Sequence, residues 1–337
     1  MRFWTGVGLI VLFIFLALNQ GAALENQVKV AVTMPVLGAI VEDIGGEHVQ
    51  VVSLLPPNVD PHSYEPSVEK VLESISKASL IVMSGPSHLP LEEKIRKLSE
   101  EGVIKTPILD YRDYENMGLL LLSVPGTGAI NPHGYFFSFS GQRAIAKACA
   151  AKLSRIDPDH AEYYERRLGR YLQRLSALEE RIKAMGISGM KVIIGGPDLQ
   201  YLAEDLDLEI VSMIVKAHGI EPSTQEISKI IDLIKSGDAD VVVVSDIEVS
   251  ENSALLGALK ENKIPYIIVP ISELVDEPEL IPLVTASLLK SSLERQVVGA
   301  EATGGFLDMV AVPSLAANLV LFTLTVLLLI KVRRYAG

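Results

Sequence analysis

Two histidines of this chain lie in loops that prolines hold rigid. His62 lies within residues 56–67, a stretch that contains four prolines and follows an apolar run ending at Leu54. His133 lies in the string Asn131-Pro132-His133-Gly134-Tyr135, again directly after a proline. Neutral imidazole is the commonest metal ligand, and proline reduces the entropy that a loop loses when it becomes ordered. The pair therefore predicts ligands that are held in place before a metal ion arrives.

Six short, nearly continuous apolar runs predict the strands that would carry these loops. They are bounded by turn residues, as is usual for parallel strands buried on both faces, and comprise residues 28–34, 49–54, 80–83, 191–194, 241–244 and 266–269. Helical patterns lie between the runs, for example at 68–76 and 226–235. This alternation of strands and helices predicts an α/β fold.

A longer helical pattern separates the strands into two groups. Residues 159–185 contain no proline, and apolar side chains recur at three- and four-residue steps from Tyr164 to Ile182. A helix of that length would extend about 40 Å, enough to run along a two-lobed body. The sequence therefore predicts two α/β lobes joined by one long interdomain helix. The boundaries are an N-terminal lobe at 24–155, the helical region at 156–186 and a C-terminal lobe at 187–298.

The two ends of the chain predict export and membrane attachment. Residues 1–23 combine an arginine, an apolar run and small residues, which is typical of a secretory signal peptide. Residues 309–330 are uncharged and long enough to form a C-terminal transmembrane helix, and the basic residues within 331–337 mark its cytoplasmic side. Residues 299–308 have the composition of a short linker. We therefore expect a body outside the cytoplasm, held at the cell membrane by a single span with a short cytoplasmic tail.

Composition excludes several classes of protein. The formal net charge of −12 argues against binding of nucleic-acid phosphates and is compatible with binding of cations. The single cysteine, Cys149, excludes an intramolecular disulfide and zinc modules built on two or four cysteines. The chain contains no P-loop, nucleophile elbow, His-Glu-x-x-His motif or dinucleotide fingerprint. Any metal ion must therefore be held mainly by histidine and carboxylate side chains.

The residues around both histidines resemble the signatures of one protein family. The string Asp-Pro-His-x-Tyr-Glu-Pro at 60–66 is similar to the first metal-ligand signature of the cluster A-I solute-binding proteins of zinc and manganese ABC transporters. Asn131-Pro132-His133 is similar to their second signature. Supporting matches are residues 77–82 with Gly85, and Glu221-Pro222-Ser223 at the start of a helix.

This resemblance covers nearly all of residues 27–290 and has direct functional implications. It implies that His62 and His133 are metal ligands of the first lobe. It also implies that Zn²⁺ or Mn²⁺ is the transported ligand, and that an ABC permease with its ATPase is the partner. The chain would then be a binding protein and not an enzyme.

The second lobe departs from the family pattern at two positions. Gly196 stands where the family places its third ligand, and Val269 and Pro270 stand at the fourth. Asp198 is the carboxylate nearest to Gly196 and is our candidate third ligand, since two histidines and one acid suit Zn²⁺ or Mn²⁺. After Gly-Gly-Pro it is equally suited to a turn or a helix N-cap. The other residues that could replace the missing ligands, or that could face the cleft, are His88, His218, Asp246, Glu248 and Glu273.

Three functions are compatible with these observations. The first is a membrane-anchored receptor that captures a divalent metal ion between the lobes and delivers it to the permease. The second keeps the scaffold but binds a metal chelate or a small organic solute, because the second-lobe ligand positions are eroded. The third is an exported metal-dependent hydrolase, since two histidines and a carboxylate with an open position also form a catalytic zinc site.

Overall fold

A computed structural model of the chain describes residues 27–301, apart from residues 57–58, 87, 217–220 and 252. The strands in this part of the chain are β1 Val28–Val32, β2 Val49–Ser53, β3 Leu80–Val82, β4 Ile108–Leu109, β5 Lys191–Ile194, β6 Glu209–Met213, β7 Val241–Ser245 and β8 Tyr266–Val269. The helices are α1 Pro35–Gly45, α2 Val68–Ile75, α3 Pro90–Glu100, α4 Tyr111–Glu115, α5 Phe139–Ile156, α6 Ala161–Lys183, α7 Gln200–Asp205, α8 Thr224–Lys235, α9 Asp246–Glu251, α10 Ser253–Glu261 and α11 Leu280–Glu301.

The strands form two four-stranded parallel sheets. Their orders are β2-β1-β3-β4 and β6-β5-β7-β8, so each sheet repeats the same pattern of connections. We refer to each sheet with its helices as the first and the second lobe. In both orders the chain reverses its direction of winding between two central strands, β1 and β3 in the first lobe and β5 and β7 in the second. Ligands of open α/β sheets bind outside the carboxyl ends of the strands at such points.

Burial is complete in two of the strands predicted from apolar runs, whereas β2 is partly exposed. All residues of β3 and β7 are buried, because helices cover both faces of a parallel sheet. The predicted α/β lobes and all six predicted strands are therefore confirmed, with ends shifted by up to two residues. The short β4 and the amphipathic β6, with its exposed Glu209, had no continuous apolar run and were missed.

The long helix is also present, as α6. It begins at Ala161 and not at 159, because Pro158 starts a separate 3₁₀ turn that ends at His160. Its apolar stripe packs against α5 and α1 of the first lobe, and its buried side chains are Tyr164, Tyr171, Leu175 and Ile182.

Both sheets lie within one compact unit that ends at Leu289, and the described residues beyond it continue α11 to Glu301. The predicted signal peptide at 1–23, transmembrane helix at 309–330 and tail at 331–337 lie outside the described residues, as does most of the linker at 299–308. Across the described residues, no helix combines the length and apolar composition that a membrane crossing requires.

Candidate metal centre

Three imidazoles of the first lobe converge at one place. The ring centroids of His62 and His133 are 5.7 Å apart, and His88 lies 5.6 Å from the first and 4.5 Å from the second. One ligand atom from each ring lies within 4.8 Å of the other two. The convergence expected of His62 and His133 is thus found, and His88, which the sequence presented only as a loop residue that could face the cleft, joins them.

Two identical turns present His62 and His133. The side-chain oxygen Oδ1 of Asp60 accepts a hydrogen bond from the backbone N–H of His62 at 2.9 Å. Asn131 Oδ1 accepts from the backbone N–H of His133, also at 2.9 Å. Both are Asx turns with a proline at the intervening position, whose fixed φ holds the backbone. The Asx-Pro-His string is therefore a local device that sets where each imidazole begins.

A buried hydrogen-bond chain holds His88 from behind. The hydroxyl of Ser84, just after β3, lies against His88 Nδ1 and also donates to Glu92 Oε2 at 2.7 Å. When the Ser84 hydroxyl donates to ionised Glu92, it accepts from Nδ1–H of His88, and this tautomer leaves the Nε2 lone pair for a metal ion. His88 is therefore oriented as a ligand although no proline precedes it directly.

Glu92 anchors this chain beneath the loops. It is fully buried and accepts from the backbone N–H groups of Ser84 and Gly85 at 2.7 and 2.8 Å and from the Thr33 hydroxyl. Burial raises the pKa of Glu92, and these hydrogen bonds act against the rise. Thr33 follows β1 and Ser84 follows β3, so Glu92 binds together the two strands at the point where the winding reverses.

The second lobe meets His133 through Asp198. Asp198 lies in the 3₁₀ turn Pro197–Leu199 after β5, and its Oδ1 is 3.8 Å from His133 Nδ1. The two backbones touch here, since a Cβ added to Gly134 would collide with the Asp198 carbonyl group. Gly134 also has a φ of 75°, which favours glycine. The predicted trio of His62, His133 and Asp198 is therefore brought to one locality.

Buried hydrogen bonds fix this contact between the lobes. Asn131 Nδ2 donates to the Pro197 carbonyl and to Gln200 Oε1, both at 2.9 Å, and the Tyr201 hydroxyl donates to the Asn131 carbonyl at 2.6 Å. Burial raises the pKa of Tyr201 to about 12. Asn131 thus shapes the His133 turn and ties it to the second lobe.

The position expected to carry the third ligand holds another residue's carboxylate. Gly196 has no side chain, and a Cβ built on it would lie 2.6 Å from Oε1 of Glu248. Glu248 lies in α9, just after β7, and only 9% of it is exposed. In the sequence, Glu248 lies three residues after Ser245, which ends an apolar run. This position indicates a helix cap as much as a ligand.

The remaining candidates are placed elsewhere or outside the described residues. Asp246 accepts hydrogen bonds from the backbone N–H and the hydroxyl of Ser272, so it braces the loop after β8. Glu273 is exposed, and Val269 is a buried strand residue. His218 lies outside the described residues.

The imidazole group has the chemistry of a transition-metal site. Zinc–nitrogen bonds of about 2.0–2.1 Å place neighbouring nitrogens of a tetrahedral site about 3.4 Å apart. The observed spread of up to 4.8 Å needs only small inward movements of the rings. Nitrogen donors with an adjacent carboxylate suit Zn²⁺ and also Mn²⁺. The donor set therefore fits either ion.

Comparison with known proteins identifies the family to which this chain is similar. The family described as zinc-uptake complex component A, periplasmic, matches residues 30–276. The manganese-binding lipoprotein MntA of Halalkalibacterium halodurans is 25% identical over 225 residues, which cover 64% of this chain and 70% of MntA. The manganese ABC transporter substrate-binding lipoprotein PsaA of Streptococcus pneumoniae is 29% identical over 181 residues, which cover 51% of this chain and 57% of PsaA.

Solved structures show the same fold. The solute-binding protein FpvC of Pseudomonas aeruginosa, in complex with Mn²⁺, aligns with a TM-score of 0.65 and 25% identity over 80% of this chain and 99% of FpvC. A zinc-bound deletion mutant of ZnuA aligns with a TM-score of 0.63 and 24% identity over 79% of this chain and 98% of that one. The fold and the site thus define a metal-binding solute-binding protein of the ABC-importer class. The chain belongs to the zinc-uptake complex component A family.

Proposed function

We propose that this chain captures Zn²⁺ or Mn²⁺ with His62, His88 and His133 of the first lobe and with a carboxylate of the second. The observation that carries the proposal is the approach of three imidazole ligand atoms to within 4.8 Å of one another. In this assignment His62, His133 and Asp198 keep the roles that the sequence predicts, and His88 is added. The ion is cargo and takes part in no catalysis, as is usual for a solute-binding protein.

We propose further that an ABC permease with its ATPase receives the ion. Relatives of the chain are named as substrate-binding components of manganese ABC transporters, which supports the assignment. The division into lobes at 24–155 and 187–298 would then place the site beside the contact between them. The hydrogen bonds of Asn131 and Tyr201 across that contact favour small shifts of the lobes over wide opening.

Metal-dependent thermal stability tests the function directly. The full chain is stripped with a chelator, and its unfolding is followed with Zn²⁺, Mn²⁺ or Mg²⁺ added at micromolar concentration. A ligand that binds only the folded state at 100 times its Kd stabilises it by about 2.7 kcal/mol, so Zn²⁺ or Mn²⁺ should raise Tm by several degrees. Mg²⁺, which prefers oxygen ligands, should not. Equal Tm values in all four conditions would remove the proposal.

We propose membrane attachment through residues 309–330, with 1–23 as the export signal. Relatives are named lipoproteins, which also places them at a membrane, although the residue directly after position 23 here is Leu24 and not a cysteine that could carry a lipid. Alkaline extraction of membranes tests the attachment. The full chain should stay with the membrane pellet, and a chain ending at residue 300 should be released; release of both would contradict a transmembrane anchor.

A further inference from the structure

We propose that Glu248 supplies a further second-lobe ligand of the transported ion, so that its carboxylate adds to the three imidazoles and Asp198. The inference rests on the metal-binding function proposed above. It selects Glu248 as the residue that replaces the missing side chain at Gly196. Its evidence is the residue's place in the sheet, the shape of the neighbouring loop and its burial.

The place of Glu248 in the sheet is that of a ligand-binding residue. It follows β7, and the loop that it faces, Gly195-Gly196, follows β5. These strands are neighbours, and the winding of the second sheet reverses between them. Glu248 thus lies outside the carboxyl ends of two strands at a reversal point, where open α/β sheets bind their ligands. In the first lobe, Ser84, which holds His88, lies at the corresponding point.

The loop beside Glu248 is shaped to admit its carboxylate. A Cβ on Gly195 would lie 2.8 Å from Glu248 Oε1 and one on Gly196 would lie 2.6 Å from the same oxygen. Neither glycine has a positive φ, and Gly196 is extended with a φ of −156°, a conformation open to any residue. The backbone does not require glycine here. Glycine at both positions therefore provides space, and the carboxylate of Glu248 occupies that space.

The same loop connects Glu248 to the imidazoles. Asp198 lies two residues after Gly196, and its Oδ1 is 3.8 Å from His133 Nδ1. The backbone of Asp198 also lies against Gly134, next to that histidine. A carboxylate seated on Gly196 is therefore on the part of the second lobe that touches the imidazole group.

A helix cap alone does not explain this arrangement. Glu248 Oε2 accepts from the Ser245 backbone N–H at 2.7 Å, and the Glu248 N–H donates to Ser245 Oγ at 3.1 Å, which is a capping box. Glu226 forms the same box with Ser223 at the start of α8, but it does so on an exposed surface. Capping therefore does not require burial. A carboxylate loses hydration when it is buried, and a bound divalent cation would offset that loss.

The paired variants Glu248→Gln and Glu226→Gln separate capping from metal binding. Glutamine also completes a capping box, so both variants of the full chain should unfold at the wild-type Tm when metal is absent. Zn²⁺ and Mn²⁺ affinities are measured by chelator competition. Glu248→Gln should weaken metal binding by about tenfold or more, because loss of a group that only supports a metal ligand already costs about that much. Glu226→Gln should not change metal binding. Equal affinities for the two variants would overturn the proposal.

A second pair of variants tests the same carboxylate by substitution of a glycine that contacts it. Gly196→Ala adds a methyl group that displaces Glu248 Oε1, so it should weaken metal binding as Glu248→Gln does. Gly169→Ala, within α6 and with open space around it, should bind metal as wild type does. Retained affinity in a folded Gly196→Ala chain would overturn the role of Glu248.

The outcomes distinguish this inference from the proposed function. A wild-type chain that no metal stabilises would remove both. A wild-type chain that binds metal, with Glu248→Gln and Glu226→Gln indistinguishable from it, would leave the metal-binding function in place and remove Glu248 alone.

Discussion

The two lobes bring different donors to equivalent ends of sheets with the same strand order. The first lobe presents three imidazoles, and each is held by an acceptor in its own loop: Asp60, Asn131 and the Ser84 hydroxyl. The second lobe presents carboxylates, Asp198 after β5 and Glu248 after β7. Fold alone therefore decides where ligand-bearing loops meet, and the residues placed in those loops decide what they hold.

This difference assigns separate physical roles to the lobes. In the proposed site, three neutral nitrogens would give the ion most of its coordination, and such ligands suit a transition metal. A carboxylate contributes negative charge beside a divalent cation, which offsets the cost of removing the ion from water. We infer that the first lobe contributes most of the affinity and the second lobe adds a smaller part. Three predictions on metal affinity test that ranking, beginning with the largest effect, and a fourth tests the contact between the lobes.

Removal of an imidazole should cost the most. His62→Ala, His88→Ala and His133→Ala each delete one nitrogen ligand, and each should lower Zn²⁺ affinity by more than about 100-fold, beyond the usual effect of a supporting group. His48→Ala is the matched control, because His48 stacks on His160 at 3.7 Å, outside the group of three. Chelator competition measures the affinities. A loss no greater than that of the second-lobe variants would reverse the ranking.

Neutralising Asp198 should have an intermediate effect. Asp198→Asn removes the charge beside His133 and keeps the size of the side chain, so metal affinity should fall by about 10-fold. The same change at Asp232, an exposed residue of α8, is the control and should leave affinity unchanged. Calorimetric titration of both variants is the measurement. Identical titrations would show that Asp198 is a turn residue only.

Removal of the side-chain acceptor from one Asx turn should have a smaller effect on metal affinity, and a second substitution at the same residue should restore most of it. Asp60→Ala removes the acceptor for the His62 N–H, so the loop must be ordered on binding and affinity should fall by a few-fold, up to about tenfold. Asp60→Asn supplies the amide oxygen that Asn131 uses in the equivalent turn and should restore most of the loss. Metal titration compares the two. If Asp60→Asn binds as weakly as Asp60→Ala, the charge of Asp60 matters and its turn does not.

The smallest effect concerns stability at the contact between the lobes. Asp205 accepts from the Ser140 backbone N–H at 2.8 Å, and burial raises its pKa, with the hydrogen bonds acting against the rise. A carboxyl group whose pKa is higher in the folded than in the unfolded state stabilises the folded state at pH values below its unfolded-state pKa of about 4. This stabilisation is lost as the pH rises through the folded-state pKa. Asp205→Asn keeps an acceptor without the charge, so Tm of the metal-free chain near pH 7 should rise by about 2 °C or less.

The pH dependence provides the check on this last prediction. Between about pH 4 and pH 7 the Tm of Asp205→Asn should vary less than that of wild type. Metal affinity should be unchanged. A lower Tm at neutral pH would show that the Ser140 contact needs the carboxylate itself.

Much of the fold follows from local sequence patterns. Continuous apolar runs predicted β5 and β8 to the residue, and a stripe of apolar side chains predicted α6 within two residues at each end. β6 was missed because Glu209 and Ser212 interrupt its apolar residues and most of the strand is only partly buried, so that its strand state depends on pairing with β5. Local patterns predict elements well where apolar residues form a run or a regular stripe, and poorly where pairing with a neighbouring strand determines the structure.

The two Asx-Pro-His turns follow directly from the amino-acid sequence, because each depends on three consecutive residues and a hydrogen bond between them. Only the tertiary structure added His88 to them, because its orientation depends on Ser84 and on Glu92, which lies four residues further on in α3. The contact of Glu248 with Gly195 and Gly196, some fifty residues away in the chain, likewise depends on the tertiary structure. Such contacts arise where non-consecutive parallel strands end side by side, and their order in a sheet is set by packing and not by adjacency in sequence.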